Sequence, residues 1–357
     1  VTSQHRLIYN YLIDKFGIEK AMQYAQANQA AVEKIAGLVQ EMGIDCDFEW
    51  KPAYVYTESE SFIKNIEDEV EAAQKVGLPA SYDEDAGLPF KVKCAVRFDR
   101  QAQIHPLKYL ISLVQAIPGE GSHVFEHSRV MGVEGESPYF LPTGSGRINA
   151  DRFVIATHYP FYDKPGFYFA RVYASRSYVL GVKVDGNVPE GMQISADDPV
   201  RSFRSCKTDE GEIVLIGGEG HKTGQGGETS IRYDRLKKYA ESVYRIKSVD
   251  YMWSAQDPMT VDSVPYIGRL TSDNDRIFVA TGFGKWGMTN STAAAMIITD
   301  VALGKENPWA EVFDPSRFTV TASMKELIKE NINVAGKFIE GKLSLNGLNN
   351  GQSAGMP

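Results

Sequence analysis

The apolar positions change period several times along the chain. In GIEKAMQYAQANQAAVEKIAGLVQEMG they recur three and four apart, and residues 4–42 predict helix, closed by Gly43. FEWKPAYVYT then reads as a strand, FIKNIEDEVEAAQKV (Phe62 to Val76) as an amphipathic helix ended by Gly77, and KVKCAVRFD as a strand. HPLKYLISLVQAI predicts a helix with Pro106 near its first turn, where a missing N–H costs little. HVFEHSRVMGVE predicts a strand or strand pair, and GRINADRFVIAT leads into a buried strand. ARVYASRSYVLGVKV alternates like an antiparallel strand, EIVLIGGEG meets a glycine-rich turn, and RYDRLKKYAESVY is helical. DRIFVAT and TNSTAAAMIITDVALG predict strand, loop and helix, and MKELIKENINVAGKFIEGKL a terminal amphipathic helix. Buried strands alternate with helices, and alternating strands interrupt them. That order predicts an α/β nucleotide domain with an antiparallel domain inserted into it.

Composition narrows the function classes. The 357 residues are 43% hydrophobic, enough for two domains. The net charge is -8 with both signs spread along the chain, so a nucleic-acid footprint is not expected. No apolar run reaches ~18 residues and no signal peptide is visible, so no membrane span is expected. Cys46, Cys94 and Cys206 are odd in number and far apart, which fits a reducing cytoplasm better than a disulfide framework. No C-x-x-C or C-x-H pair exists, so no metal site is expected in this chain. The chain opens on Val1 and closes on the Gly- and Asn-rich NGLNNGQSAGMP, read as a tail; it reads as a piece of a longer protein.

RIFVATGFGKWGMTNSTAAAMIITDVALGK carries Gly282, Gly284 and Gly287 in the letter order of a dinucleotide fingerprint. That fingerprint needs a second strand ending in an acid ~20 residues on. Here KENPWAEVFDPSRF follows, with two prolines, and Lys285 and Trp286 crowd the loop. Two readings remain. One is a helix N-terminus whose free N–H groups face an anionic ligand, with Trp286 as a flat wall and Thr289, Asn290 and Ser291 as caps. The other is an ordinary strand–helix turn with glycines for close packing.

Three stretches carry a resemblance. VDSVPYIGRLTSDNDRIFVATGFGKWGMTNSTAAAMIITDVALG is similar to the flavin segment of the D-amino-acid oxidase and glycine oxidase-like family of FAD-dependent oxidoreductases. QIHPLKYLISLVQAI with HVFEHSRVMGV resembles its central helix and adenine-side strand, and INADRFVIATHYP its A-T-G-ended strand, with His158 in place of the glycine. VTSQH, GGEGHKTGQ and the helix after the flavin segment resemble bacterial members that carry a Rieske [2Fe-2S] domain. The likeness runs from Val1 to about Lys305; the family's own GxGxxG unit would precede Val1, and no Rieske motif is present.

The resemblance implies an α/β (α+β) fold: an incomplete FAD-binding Rossmann-like domain (residues 1–46, 104–170 and 258–306) with an inserted antiparallel-sheet substrate domain (47–103 and 171–257). A C-terminal helical extension (307–342) and a flexible tail (343–357) would follow. It implies FAD as cofactor of the parent protein, with Ser3, Gln4, His5, Val130, Thr157, His158, Gly284, Lys285, Trp286, Gly287, Met288 and Thr289 around it. Thr2 lies in the same loop as Ser3 to His5, which equally fits simple N-capping. Tyr54, Arg201, Arg204, His221 and Lys222 are the substrate-side candidates; the arginine forks suit a carboxylate. The implied reaction is hydride removal from a carbon next to an amine in an amino-acid-like small molecule, with electrons passing onward to a Rieske cluster. Two alternatives stand at this level: a non-catalytic fragment whose cofactor site is incomplete, and a nicotinamide dehydrogenase, which Pro308 and Pro315 oppose.

Overall fold

The computed structural model describes residues 1–163 and 166–317. In chain order they form helices α1 (Tyr9–Phe16) and α2 (Ile18–Met42), strand β1 (Glu49–Thr57), helix α3 (Ile63–Lys75), strands β2 (Ala80–Asp83) and β3 (Cys94–Gln103), and helix α4 (Pro106–Gln115). Strands β4 (Tyr139–Pro142), β5 (Arg147–Ala150) and β6 (Phe153–Ile155) follow, then the short α5 (Tyr168–Arg171) and strands β7 (Val172–Asp185), β8 (Met192–Ser195), β9 (Arg201–Thr208) and β10 (Gly211–Lys222). Helix α6 (Thr229–Val243), strands β11 (Arg245–Thr260), β12 (Tyr266–Arg269) and β13 (Ile277–Thr281), and helices α7 (Gly287–Ala302) and α8 (Ala310–Phe313) complete them. The predicted terminal helix lies outside the described residues.

A mixed eight-stranded sheet, in the order β11-β7-β10-β9-β8-β1-β3-β2, dominates the architecture. Every pairing in it is antiparallel except β1 with β8. Its two faces have different partners because side chains alternate across a strand. Tyr54, Tyr178, Phe203 and Ile216 form one core with Leu236 and Ala240 of α6. Val55 and Val96 face the other way and join the helices α1, α2, α3 and α7. Pro258 is tolerated in β11 because that strand is an edge of the sheet.

A smaller sheet, β12-β13-β6, packs beside this helical layer, with β13 parallel to β6. All five residues of β13 are buried, as a run IFVAT with no polar alternation demands. The chain turns from β13 into α7 through Gly282, at φ +75°; a Cβ there would lie 2.2 Å from the Thr260 methyl, so only glycine fits.

Some predicted elements differ. Helix begins at Tyr9, not at residue 4, because Arg6 sits in the left-handed region at φ +62°. HVFEHSRVMGVE forms no strand; Val130 and Glu134 make only isolated bridges, to Thr143 and Phe140. β2, β4, β8, β9, β11 and β12 arise where the pattern gave no strand. No helix among the described residues is long and apolar enough to cross a membrane.

The start of α1 is capped from outside. Glu69 of α3, 1% exposed, accepts the N–H groups of Ile8 and Tyr9 at 2.8 Å and of Asn10 at 2.9 Å. These are donors the helix itself cannot satisfy. Burial pushes this carboxyl up to about 7 against the pull of those three donors. Glu69→Ala should lower unfolding stability by roughly 3 kcal/mol, since buried donors lose their acceptor. Glu69→Gln keeps one acceptor oxygen and should lose less; denaturant melts of both variants check the order.

Candidate functional site

Two cavities meet where the large sheet, the first residues of the chain and the start of α7 converge. The first has a volume of about 530 Å³. Val179, Met192, Ser202, Arg204, Leu215 and Trp253 line one side. All six lie on the sheet face opposite to Phe203 and Ile216, as register requires. Thr2, Gln4 and residues 285–289 line the other side. The second cavity, of about 370 Å³, is bordered by His5, Arg6, Gly282, Gly284, Trp286 and Asn290, among others.

The α7 start faces the first cavity unblocked. Its N-cap residue, Trp286, makes no side-chain capping bond. A Cβ on Gly287 would meet no atom of the described residues within 4 Å. The first-turn N–H groups are thus left for a ligand, and the helix dipole favours negative charge there. Thr289 does not cap; its hydroxyl donates to the Thr2 carbonyl at 3.1 Å.

The first residues are buried and tied down. Ser3 N donates to Gln101 Oε1 at 2.7 Å, and Gln4 Nε2 to the Val96 carbonyl at 2.9 Å. His5 lies 2.6 Å from the Tyr24 hydroxyl through Nδ1 and 2.9 Å from the Thr2 carbonyl through Nε2. A carbonyl only accepts, so Nε2 carries the proton and Nδ1 accepts from Tyr24. Burial pushes the His5 pKa down to about 3.

Charge is distributed unevenly. Lys285, which borders the first cavity, gives its ammonium to Asp257 at 2.9 Å and Ser177 at 3.0 Å. Arg204 borders the same cavity, and among the described residues its guanidinium meets no carboxylate and makes no hydrogen bond. Among the described residues, no Asp, Glu or His lines this cavity.

The other sequence candidates sit elsewhere. Arg201 does not face the cavity: its guanidinium donates to the buried Glu219 at 2.6 Å, and it packs over the Tyr239 ring. Tyr54 borders the cavity, but its ring belongs to the core under α6. His221 pairs with the Tyr178 hydroxyl at 3.0 Å, and Lys222 lies over Tyr173; neither borders either cavity. Thr157 and His158 follow β6, next to the end of β13, where the Thr281 hydroxyl donates to the His158 carbonyl at 2.6 Å. They and Val130 border neither cavity. Sequence reasoning missed the sheet wall of Val179, Met192, Leu215 and Trp253. Alternation around Val179 was visible, but β8 and β11 were not recognised, so nothing brought these side chains to one face.

A family model described as FAD dependent oxidoreductase matches residues 4–301. The chain belongs to this family. It is 40% identical over 344 residues to a Bacillus subtilis protein named a putative Rieske 2Fe-2S iron-sulfur protein, YhfW, covering 96% of this chain and 68% of the relative. It is 22% identical over 324 residues to the γ-glutamylputrescine oxidoreductase of Escherichia coli, covering 84% and 71%. The glycine oxidase structure from Geobacillus kaustophilus superposes with a TM-score of 0.68 at 17% identity over 83% of each chain. The enzyme is thus an FAD-dependent oxidoreductase of mixed α/β fold. No strand follows α7 among the described residues, so the placement that a nicotinamide loop needs is missing there.

The residues present fit the ring end of FAD. An apolar cavity with a flat indole in its wall suits a planar heterocycle, and the uncapped α7 start offers donors to its electron-rich edge.

His5 gives a pH prediction. Folding keeps the ring neutral, whereas the unfolded chain protonates it below ~6.5. Its stabilising contribution is therefore present above that value and lost as pH falls toward about 3. Wild type should lose stability more steeply below pH ~6 than His5→Phe, by roughly 1.4 kcal/mol per pH unit. Denaturant melts at stepped pH measure the difference, and parallel slopes would contradict a buried neutral His5.

Proposed function

We propose that the protein oxidises the C–N bond of an amino-acid-like small molecule in the first cavity, with Arg204 taking the substrate's carboxylate. The observation that carries this reading is the Arg204 guanidinium, which has no partner among the described residues, on a wall that is apolar apart from Ser202. A carboxylate ligand would supply the bidentate acceptor that none of the described residues offers. The names of glycine oxidase, L-proline dehydrogenase and L-amino acid deaminase among the structural neighbours support an amino acid over a plain amine.

FAD, when bound, supplies the hydride-accepting chemistry. The chain's part is to bind, orient and exclude water. Met192, Leu215 and Trp253 give the substrate's carbon side a dry wall, and Lys285, neutralised by Asp257, does not compete with Arg204 for the carboxylate. The substrate carbon gives up a hydride and its nitrogen a proton, leaving an imine. With no carboxylate or imidazole on the wall among the described residues, the amine enters in its free-base form. The large sheet, on this reading, is the substrate side, and the β13–α7 turn with the first residues of the chain is the cofactor side. The name of the 40%-identical relative supports onward transfer of electrons to a [2Fe-2S] cluster outside this chain. Efficient reoxidation of the whole protein by oxygen would count against that last element.

Anaerobic flavin reduction by a panel of amino acids and matching decarboxylated amines tests the proposal. Arg204→Ala should raise the apparent KM for amino acids by ~30–1000-fold, the cost of truncating one partner of a buried charge pair. The decarboxylated amines should change little. Equal losses for both series would remove Arg204 from substrate recognition. The rate with wild type should rise with pH up to the amine's own pKa, and a fall over that range would require a protein acid that the described cavity wall does not hold.

A further inference from the structure

Trp286 borders both cavities and so forms the partition between them. Its indole N–H makes no hydrogen bond among the described residues, so packing alone sets the ring plane. The packing partner is His5: the rings stack with centroids 4.8 Å apart and planes 13° from parallel. His5 is in turn immobilised. It is 3% exposed, bonded through Nδ1 to Tyr24 and through Nε2 to the Thr2 carbonyl, with the Thr289 hydroxyl 3.1 Å away. Tyr24 meets the imidazole edge-on at 87° and stacks on Phe313 at 5.5 Å, so the support reaches into the helical core.

We propose that His5 is a positioning residue: a fixed flat plate that sets the plane of Trp286, and through it the width of the slot that receives the planar ring of the cofactor. This rests on the functional reading above. It assigns His5 no contact with substrate and no proton transfer; both ring nitrogens are already engaged. It explains why a histidine stands here. A planar side chain is needed for the stack, and polar atoms on both edges add a smaller restraint on its rotation. The bond to Thr2 also couples the plate to the first cavity, because Thr2 lines it and shares its carbonyl with Thr289 of α7.

The test compares His5→Phe with His5→Leu. Both lose the same hydrogen bonds; only Phe keeps a flat ring. Two readouts are taken on each protein: the near-ultraviolet circular dichroism owed to Trp286, obtained by difference from Trp286→Phe in the same background, and the Kd for FAD. His5→Leu should lose the Trp286 signal and weaken FAD by ~10-fold, the range of one aromatic pair. His5→Phe should retain most of the signal and bind within about threefold of wild type. Equal behaviour of the two variants, or an unchanged Trp286 signal in His5→Leu, overturns the proposal. Tyr24→Phe, which frees the imidazole but leaves it in place, should weaken FAD about two- to threefold with partial loss of signal, and no change in either readout there also overturns it. A wild-type protein that takes up no FAD would sink the functional reading, while the dichroism comparison would still decide whether His5 sets the Trp286 plane.

Discussion

The anchoring of residues 1–8 between the sheet and α7 is the constraint on which both cavities depend. This segment is neither helix nor strand, so its backbone groups and polar side chains must find partners elsewhere. They find them on three elements. β3 supplies Gln101 and the Val96 carbonyl, α3 supplies Glu69, and α2 supplies Tyr24. The segment thus becomes a rigid wall rather than a surface loop, and Thr2, Gln4 and His5 keep fixed positions opposite the sheet. Removing any one partner would leave buried donors or acceptors unpaired, a larger cost than the bond itself.

The two arginines of β9 show how the sheet divides structure from chemistry. Arg201 and Arg204 are three residues apart, so alternation sends them to opposite faces of the strand. Arg201 meets Glu219, which sits at φ +55° next to a register shift in β10. That pair is enclosed near α6, and Arg232 also reaches Glu219 at 3.5 Å. Arg204 meets apolar neighbours and open volume. A spacing of three in a strand, visible in PVRSFRS, contains this difference, but only once the segment is known to be a strand and its buried face is known.

Legibility in the sequence followed local physics. The β13–loop–α7 unit was readable because IFVAT is a wholly buried strand, Gly282 has no alternative, and TAAAMII can only be a packed helix. The eight strands of the large sheet all fall within residues 49–103 and 172–260, yet β11 was not recognised: KSVDYMWSAQDPMT carries charges and a proline that only an edge strand accepts. Tertiary partners decided the rest. SQHRLI reads as the start of a helix until Arg6 turns left-handed and its neighbours bond to distant elements. The apolar letters of HVFEHSRVMGV suggested a strand, but Val124, Phe125 and Met131 are exposed and pair with no ladder. The match over residues 4–301 establishes the family; which residues serve the cofactor and which the substrate rests on the geometry of the first cavity.

The measurement that bears most directly on that geometry is hydrogen–deuterium exchange of the protein with and without FAD. The account predicts slowed exchange in residues 1–4 and 285–289, where the N-terminal wall and the uncapped start of α7 face the first cavity. Protection confined to other segments, with the α7 start unchanged, would contradict the assignment of this cavity to the cofactor ring.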